Sequence, residues 1–197
     1  MAGKSGRKPR SAEQFEETRA KIIAHALKLF QNEGYEAVSI RRLAKDVGCA
    51  PMTIYAHFAG KIDILQHLWA VVLETVFTEI HNELEDISAP KDRLKSASQR
   101  FVKYWLDHPD HFRMVFMSND IARSDVSSFI QYDATRAHFR FFFDLVEDIL
   151  PEDPEIKSKA DALIVSLIGT AFCFNTTADY PWADPQILVD LALSRIV

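Results

Sequence analysis

The sequence predicts an all-α protein: a small N-terminal head of three helices followed by a helical bundle of about six more. Three observations lead there. Glycine and proline are scarce, 6 and 8 in 197 residues, so long uninterrupted helices are available. Apolar side chains recur three and four residues apart along most of the chain, the spacing of one helix face. Ser39 to Phe58 carries a cap, a helical apolar face, a glycine and a first-turn proline in that order, the plan of two short helices joined by a tight turn.

The elements follow in chain order. Met1 to Arg10 holds Gly, Ser, Lys and Arg with almost no apolar side chains and reads as a disordered basic arm. Ser11-Ala12-Glu13-Gln14 reads as a capping box opening a first helix to about Asn32, with Ile22, Ile23, Ala26, Leu27 and Phe30 facing the core and Gly34 ending it. Ser39 caps a second helix, whose face is Ile40, Leu43, Ala44 and Val47, and Gly48 stops it in a left-handed turn. Pro51 starts a very short third helix over Met52 to His57, with Phe58 closing it into the core. A long fourth helix runs from Lys61 to about Asp86 and joins head to body. Pro90 opens a fifth, which His108-Pro109 breaks, because a residue before proline avoids the helical region. A sixth covers Asp110 to about Met117, and a Phe-rich seventh, capped by Ser124, extends to Leu150. Pro151 to Pro154 is a linker, an eighth helix spans about Glu155 to Ala178, and Asp184-Pro185 caps a ninth.

Composition bounds the class of protein. Hydrophobic residues at 48% and charged residues at 26% suit a globular fold. The basic, apolar-poor start is unlike a secretory signal. The longest apolar stretch, Leu163 to Phe174, falls short of the ~20 residues a membrane span needs and reads as a helix buried on most sides. Two cysteines, Cys49 and Cys173, offer no disulfide framework and suit a reducing cytoplasm. Up to Lys61 there are 11 Lys and Arg against 6 Asp and Glu, or +5, while the remainder carries −10 of the net −5. A polyanion is drawn to such a head and repelled by the body.

Two short helices around Gly48 form a helix-turn-helix, whose second helix enters the DNA major groove with its N-terminal residues toward the bases. That places Ala50, Pro51, Met52, Thr53 and Ala56 among the base-facing residues: Thr53 donates or accepts, and the apolar members press thymine methyls. The helix lacks Arg, Asn and Gln, so Arg41 or Arg42 supplies a base contact or meets only phosphate; Ser39, at the cap, stands with this set. Lys4, Arg7, Lys8 and Arg10 reach the DNA as a flexible arm, chiefly by attraction to phosphate.

The pattern extends both ways from this motif. Thr18-Arg19, Ile22-Ile23, Ala26-Leu27, Leu29-Phe30 and Gly34-Tyr35 precede it; Thr53-Ile54-Tyr55, His57-Phe58, Lys61 and Asp63-Ile64-Leu65 complete it. From Thr18 to Leu65 the chain resembles the TetR/AcrR family of bacterial transcriptional regulators. It departs at Ala50, where Ser or Thr is frequent, and at Gly60, where Ser is frequent and caps the next helix better. The resemblance implies a homodimer, paired through its last two helices, that binds a palindromic double-stranded operator. The two heads sit ~34 to 36 Å apart, one turn of DNA. It implies that Tyr55, His57 and Lys61 contact phosphate, and that residues 11–60 form the DNA-binding domain and 61–197 the ligand-binding and dimerisation domain. It also implies a small-molecule effector in a cavity between helices five to eight.

Core packing accounts for most of the body's aromatics. Phe139, Phe141, Phe142 and Phe143 cannot share one helix face, however, so some meet a pocket or a partner. The candidate lining is Tyr104, Trp105, His108, Phe112, Phe116, Phe142, Thr170 and Phe174, an aromatic wall with few charges that suits a largely apolar ligand. His108, Asp110 and His111 straddle a proline break rather than a metal-ligand spacing, and no metal or cofactor is expected. No nucleophile, base and orienting acid cluster in sequence, so catalysis is not expected. The function read here is a ligand-released repressor; an architectural DNA binder without a small ligand is the alternative.

Overall fold

The computed structural model describes residues 12–117 and 133–196, apart from the side chains of 133–136 and 139. Within them lie nine α-helices, one 3-10 turn and no strand. The helices are α1 (Ala12–Glu33), α2 (Ile40–Val47), α3 (Pro51–Tyr55), α4 (Lys61–Leu84), α5 (Pro90–Asp107), α6 (Pro109–Phe116), α7 (Asp133–Glu147), α8 (Ile156–Thr176) and α9 (Pro185–Leu193). The chain divides into two compact units, one ending at Leu68 and the other beginning at Trp69. The division falls inside α4, which contributes turns to both. The basic arm, the Ser11 cap and the Ser124 cap lie outside the described residues.

In the head, local rules set the element ends. The Gly34 N–H donates to the Phe30 carbonyl at 2.8 Å, and its φ of 82° is a value that glycine adopts freely. The Arg42 N–H donates to the Ser39 hydroxyl at 3.3 Å, which caps α2. At the other end the Cys49 N–H reaches the Ala44 carbonyl (2.8 Å) and the Gly48 N–H the Lys45 carbonyl (3.2 Å), with Gly48 left-handed at φ 75°. This two-bond helix end satisfies carbonyls that α2 itself leaves open. Helix α3 spans 5 residues, far too short to persist alone. Tertiary anchoring holds it instead: Ile54 is fully buried and Phe58 nearly so. They join Ile22, Ala26, Leu29, Phe30, Val38, Leu43 and Ala44 in one core. Burying each of the larger members is worth about 1.5–3 kcal/mol. Ile23 and Leu27, expected in that core, are only half-buried, because the face of α1 that packs inward is centred one residue further round, on Leu29.

The weak cap expected at Gly60 is compensated. Asp63, in the first turn of α4, accepts the Ala59 N–H at 2.8 Å. In the body, Pro90, Pro109 and Pro185 each open a helix where a missing N–H costs nothing. Asp184 caps α9 by accepting the Gln186 N–H at 2.8 Å. Helix α8 packs against α5, α7 and α9, and α9 also against α5. Helix α7 stops at Glu147, short of the expected Leu150. The linker after it is tied down: Asp153 accepts from the Glu155 N–H and from Lys159, both at 2.7 Å.

One expectation for α8 fails in the single chain. Leu163, Leu167 and Ala171 are buried, but Val165 is 68% and Phe172 44% exposed. Among the described residues its main packing partners are α5, α7 and α9, and these two side chains lie away from them.

Candidate nucleic-acid interface and aromatic body cluster

Helix α3 turns its anchors inward and a continuous row outward. With Ile54 and Phe58 buried, Pro51, Met52, Tyr55 and Ala56 are exposed, and Thr53 is half-buried at the edge of the row. Met52, at 76% exposed, is far from any core role. Ala50, Ser39, Arg41 and Arg42 are exposed beside it. The two arginines differ in freedom. Arg42 bridges Glu33 (3.0 Å) and Asp46 (3.1 Å), which hold its guanidinium along the head's own surface. No ion pair of this kind holds Arg41 among the described residues, so it is the better placed of the two to reach DNA.

Lys61 stands at the first position of α4, with its ammonium 3.4 Å from the centre of the Tyr35 ring. A cation at a helix N-terminus adds to the positive end of the helix dipole rather than cancelling it, and such a site attracts an anion. His57 requires a correction. Both its ring nitrogens are buried, and Phe15 of α1 lies against the ring with centroids 3.9 Å apart. The imidazole is covered by an apolar side chain and packs, rather than presenting an N–H to phosphate.

Sequence reasoning missed the device that fixes Phe58. Arg19 of α1 lies 5.4 Å from the centre of its ring, His67 of α4 meets it edge-on at 5.2 Å, and Arg19 and His67 are themselves hydrogen-bonded. His67 is oriented by the Asp63 carbonyl, 2.7 Å from Nδ1. The partners stand 48 residues apart in the chain, and no local pattern announces such a pairing.

In the body, five of the eight predicted ligand residues gather where α5 meets α6. Trp105 is fully buried, with Tyr104, Phe112 and Phe116 at 5.3, 6.0 and 5.1 Å, and Tyr104 lies 4.5 Å from His108. Phe142 of α7 joins through Phe101, which touches both Phe142 (5.4 Å) and Trp105 (5.8 Å). The other two stand apart from these rings. Thr170 is half-buried and donates its hydroxyl to the Ser166 carbonyl, and Phe174 pairs with Trp182 at 6.3 Å. Phe172, absent from the predicted lining, meets Phe112 instead at 6.3 Å. A separate cleft of about 220 Å³ lies between α5 and α9, over Val102, Leu106 and Val189; none of the eight lines it.

His111 extends the cluster. Its Nδ1 lies 2.7 Å from the Tyr104 hydroxyl, and its ring stacks on His108 at 5.2 Å. Burial pushes its pKa below the usual histidine value, against the pull of Asp110. Burial also raises the Tyr104 phenol, with Glu79 and Asp110 adding to the shift. Both shifts favour the neutral forms, and the phenol and the imidazole share one hydrogen bond. A nitrogen so occupied is turned away from any metal. Among the described residues no group of His, Cys, Asp and Glu is arranged to hold one.

A short exposed helix, braced from behind and preceded by a tight turn, on a head with excess positive charge, defines a helix-turn-helix DNA-binding protein. Residues 22–68 match the model for bacterial regulatory proteins of the tetR family, so the head is a DNA-binding domain of that family. The chain is a DNA-binding transcriptional regulator, in a family of regulators rather than enzymes. An HTH-type transcriptional regulator of Staphylococcus aureus (strain bovine RF122 / ET3-1) is 28% identical over 159 residues, 81% of this chain and 82% of that one. Among solved structures, the fatty acid degradation regulator FadR of Bacillus halodurans superposes with a TM-score of 0.69 at 15% identity, covering 96% of each chain. FadR of Bacillus subtilis, in complex with stearoyl-CoA, gives 0.68 at 16% identity, covering 90% of this chain and 97% of that one. Identities this low show the fold alone. No helix among the described residues is long and apolar enough to cross a membrane.

Proposed function

We propose that the protein is a homodimeric, cytoplasmic repressor, released from a palindromic operator when a largely apolar small molecule enters the body. The outward row of α3 is the observation that carries the DNA reading. Pro51, Met52, Thr53 and Ala56 face base edges, with Arg41 and Ala50 beside them. Tyr55 and Lys61 take phosphate, while Ser39 and Arg42 hold the motif in shape. The DNA-binding domain is residues 11–60, and 61–197 bind ligand and partner.

Dimerisation is supported by uncovered apolar side chains on the last two helices. Val165 and Phe172 of α8 and Ile187 (55%) and Leu191 (59%) of α9 are exposed. A second copy of the same surface, related by a two-fold axis, buries such faces reciprocally. The ligand site is the aromatic cluster around Trp105, lined by Tyr104, Trp105, His108, Phe112, Phe116 and Phe142, without Thr170 and Phe174. Acyl compounds are the first class to try, since the B. subtilis FadR structure contains stearoyl-CoA. Helix α4 has turns in both units, so it is the element through which ligand and operator are coupled.

The test has two stages. Selection from a random DNA pool is expected to return a palindrome, and compounds are then screened for release of the protein from it. A protein that stays monomeric and returns no symmetric sequence at low salt overturns the reading.

A further inference from the structure

The chain has three tryptophans, and two of their indole N–H groups have an evident partner. Trp69 Nε1 donates to the Met114 carbonyl at 3.1 Å, and Trp182 Nε1 to the Thr177 carbonyl at 3.0 Å. Trp105 is different. Its side chain is fully buried and, among the described residues, its Nε1 has no acceptor within hydrogen-bond distance. The surrounding rings explain why: Phe101, Phe112 and Phe116 each meet the indole edge-on, at interplanar angles of 76°, 74° and 78°, and a phenylalanine offers no acceptor. Arg100 Nε, also buried without a hydrogen-bond acceptor, has the Glu83 carboxylate 3.7 Å away.

An unsatisfied buried N–H is costly, and a phenylalanine would fill nearly the same space without that cost. A tryptophan kept in such a place is explained if a bound molecule brings the acceptor. We propose that Trp105 Nε1 is the polar recognition point of the body site, and that the effector is an apolar molecule bearing a carbonyl oxygen, such as an acyl ester, thioester or ketone. The apolar part is taken up by the phenylalanine edges, and the carbonyl accepts from the indole. One placed donor in an apolar wall is how such sites select orientation at little desolvation cost. The inference rests on the reading of the Trp105 cluster as a ligand site.

The test uses the full-length protein and two probes of equal chain length, 2-tridecanone and n-tridecane, with the three indole N–H signals followed by proton–nitrogen NMR. Trp105→Phe assigns the signal and removes the donor while keeping a ring. The ketone is expected to move the Trp105 indole proton downfield and the alkane to leave it in place. The ketone should bind about five- to tenfold more weakly to Trp105→Phe, the value of one neutral hydrogen bond, with alkane affinity unchanged. If both probes bind and the Trp105 signal ignores the ketone, or shows only contact with water, the carbonyl assignment is overturned and the ligand site stands. If neither probe binds, the ligand-site reading falls and takes this one with it. The native-protein signal decides the matter even if the variant does not fold.

Discussion

Lysine 61 carries the most quantitative consequence of the DNA reading. If its ammonium, parked over Tyr35, neutralises one phosphate per head, a dimer loses two such contacts in Lys61→Ala. Each phosphate neutralised on duplex DNA contributes about 0.9 to the slope of log affinity against log salt, so the slope should become shallower by about 1.8. Between 50 and 200 mM salt that is about a twelvefold smaller loss of affinity than in the native protein. The effect should be equal on the selected palindrome and on scrambled DNA, since phosphate carries no sequence. Fluorescence anisotropy at four or five salt concentrations reads both quantities. Lys157→Ala removes an exposed lysine, paired to Asp161 on the body, and is the control expected to leave the slope alone. The cation–ring contact with Tyr35 is lost as well, worth about 0.5–1 kcal/mol of head stability, so folding is checked by thermal melting first. A folded Lys61→Ala protein with an unchanged slope would refute the phosphate role.

Other substitutions separate the remaining parts. Thr53→Ala should change which operator half-sites are selected; equal losses on palindrome and scrambled duplex would remove Thr53 from the base-reading set. Gly48→Ala meets no steric clash, since a Cβ there has nothing within 4 Å, but forces a left-handed alanine and should lower stability by about 1–2 kcal/mol in urea melts. Leu191→Glu, in the middle of the exposed α9 face, should shift sedimentation from dimer to monomer and abolish palindrome binding, while helicity stays native. Acid should also weaken the fold. Burial lowers the pKa of His111, which faces Tyr104, His108 and Asp110, and of His138, which faces Glu74 and His81, from the ordinary 6.5. Below that value the unfolded chain takes up protons that the folded chain refuses. Stability is therefore full above about pH 6.5, declines as pH falls through it, and levels off once the folded histidines also titrate. Urea titrations at several pH values show this as a falling midpoint, and His138→Phe should flatten part of the decline.

Much of the head was legible because its boundaries are set by rules acting over a few residues. Ser39, Gly34, Gly48 and Pro51 each solve a problem at one helix end, and the solution depends on neighbours within a turn. The inward turn of Phe58 followed from helical spacing alone. What the pattern could not supply was who lies against whom. The cover of Phe15 over His57 and the tether of Arg42 to Glu33 are contacts between separate segments, and the phase of α1 that brings Phe15 there is not encoded near His57. The same limit appears in the body. Tyr104, Trp105, Phe112 and Phe116, named together from the family resemblance, do lie together where α5 meets α6. Spacing could not tell whether Phe172 or Phe174 of α8 turns toward them, since the two differ by a rotation of the helix that only packing decides.

That distinction bears on how a regulator of this kind is built. A recognition helix of 5 residues has no stability of its own, so its position is whatever α1 and α4 impose through Ile54, Phe58, Arg19 and His67. His67 and Phe58 tie α3 to the first two turns of α4, and the later turns of the same helix carry Trp69, Phe77 and Glu79 into the body's packing. On the proposed reading, an effector that shifts α4 by a fraction of a turn moves α3 with it. Because binding free energies are linked, operator must weaken the effector by the factor with which effector weakens operator. On the same reading, differential packing of α4 in two states supplies that coupling energy.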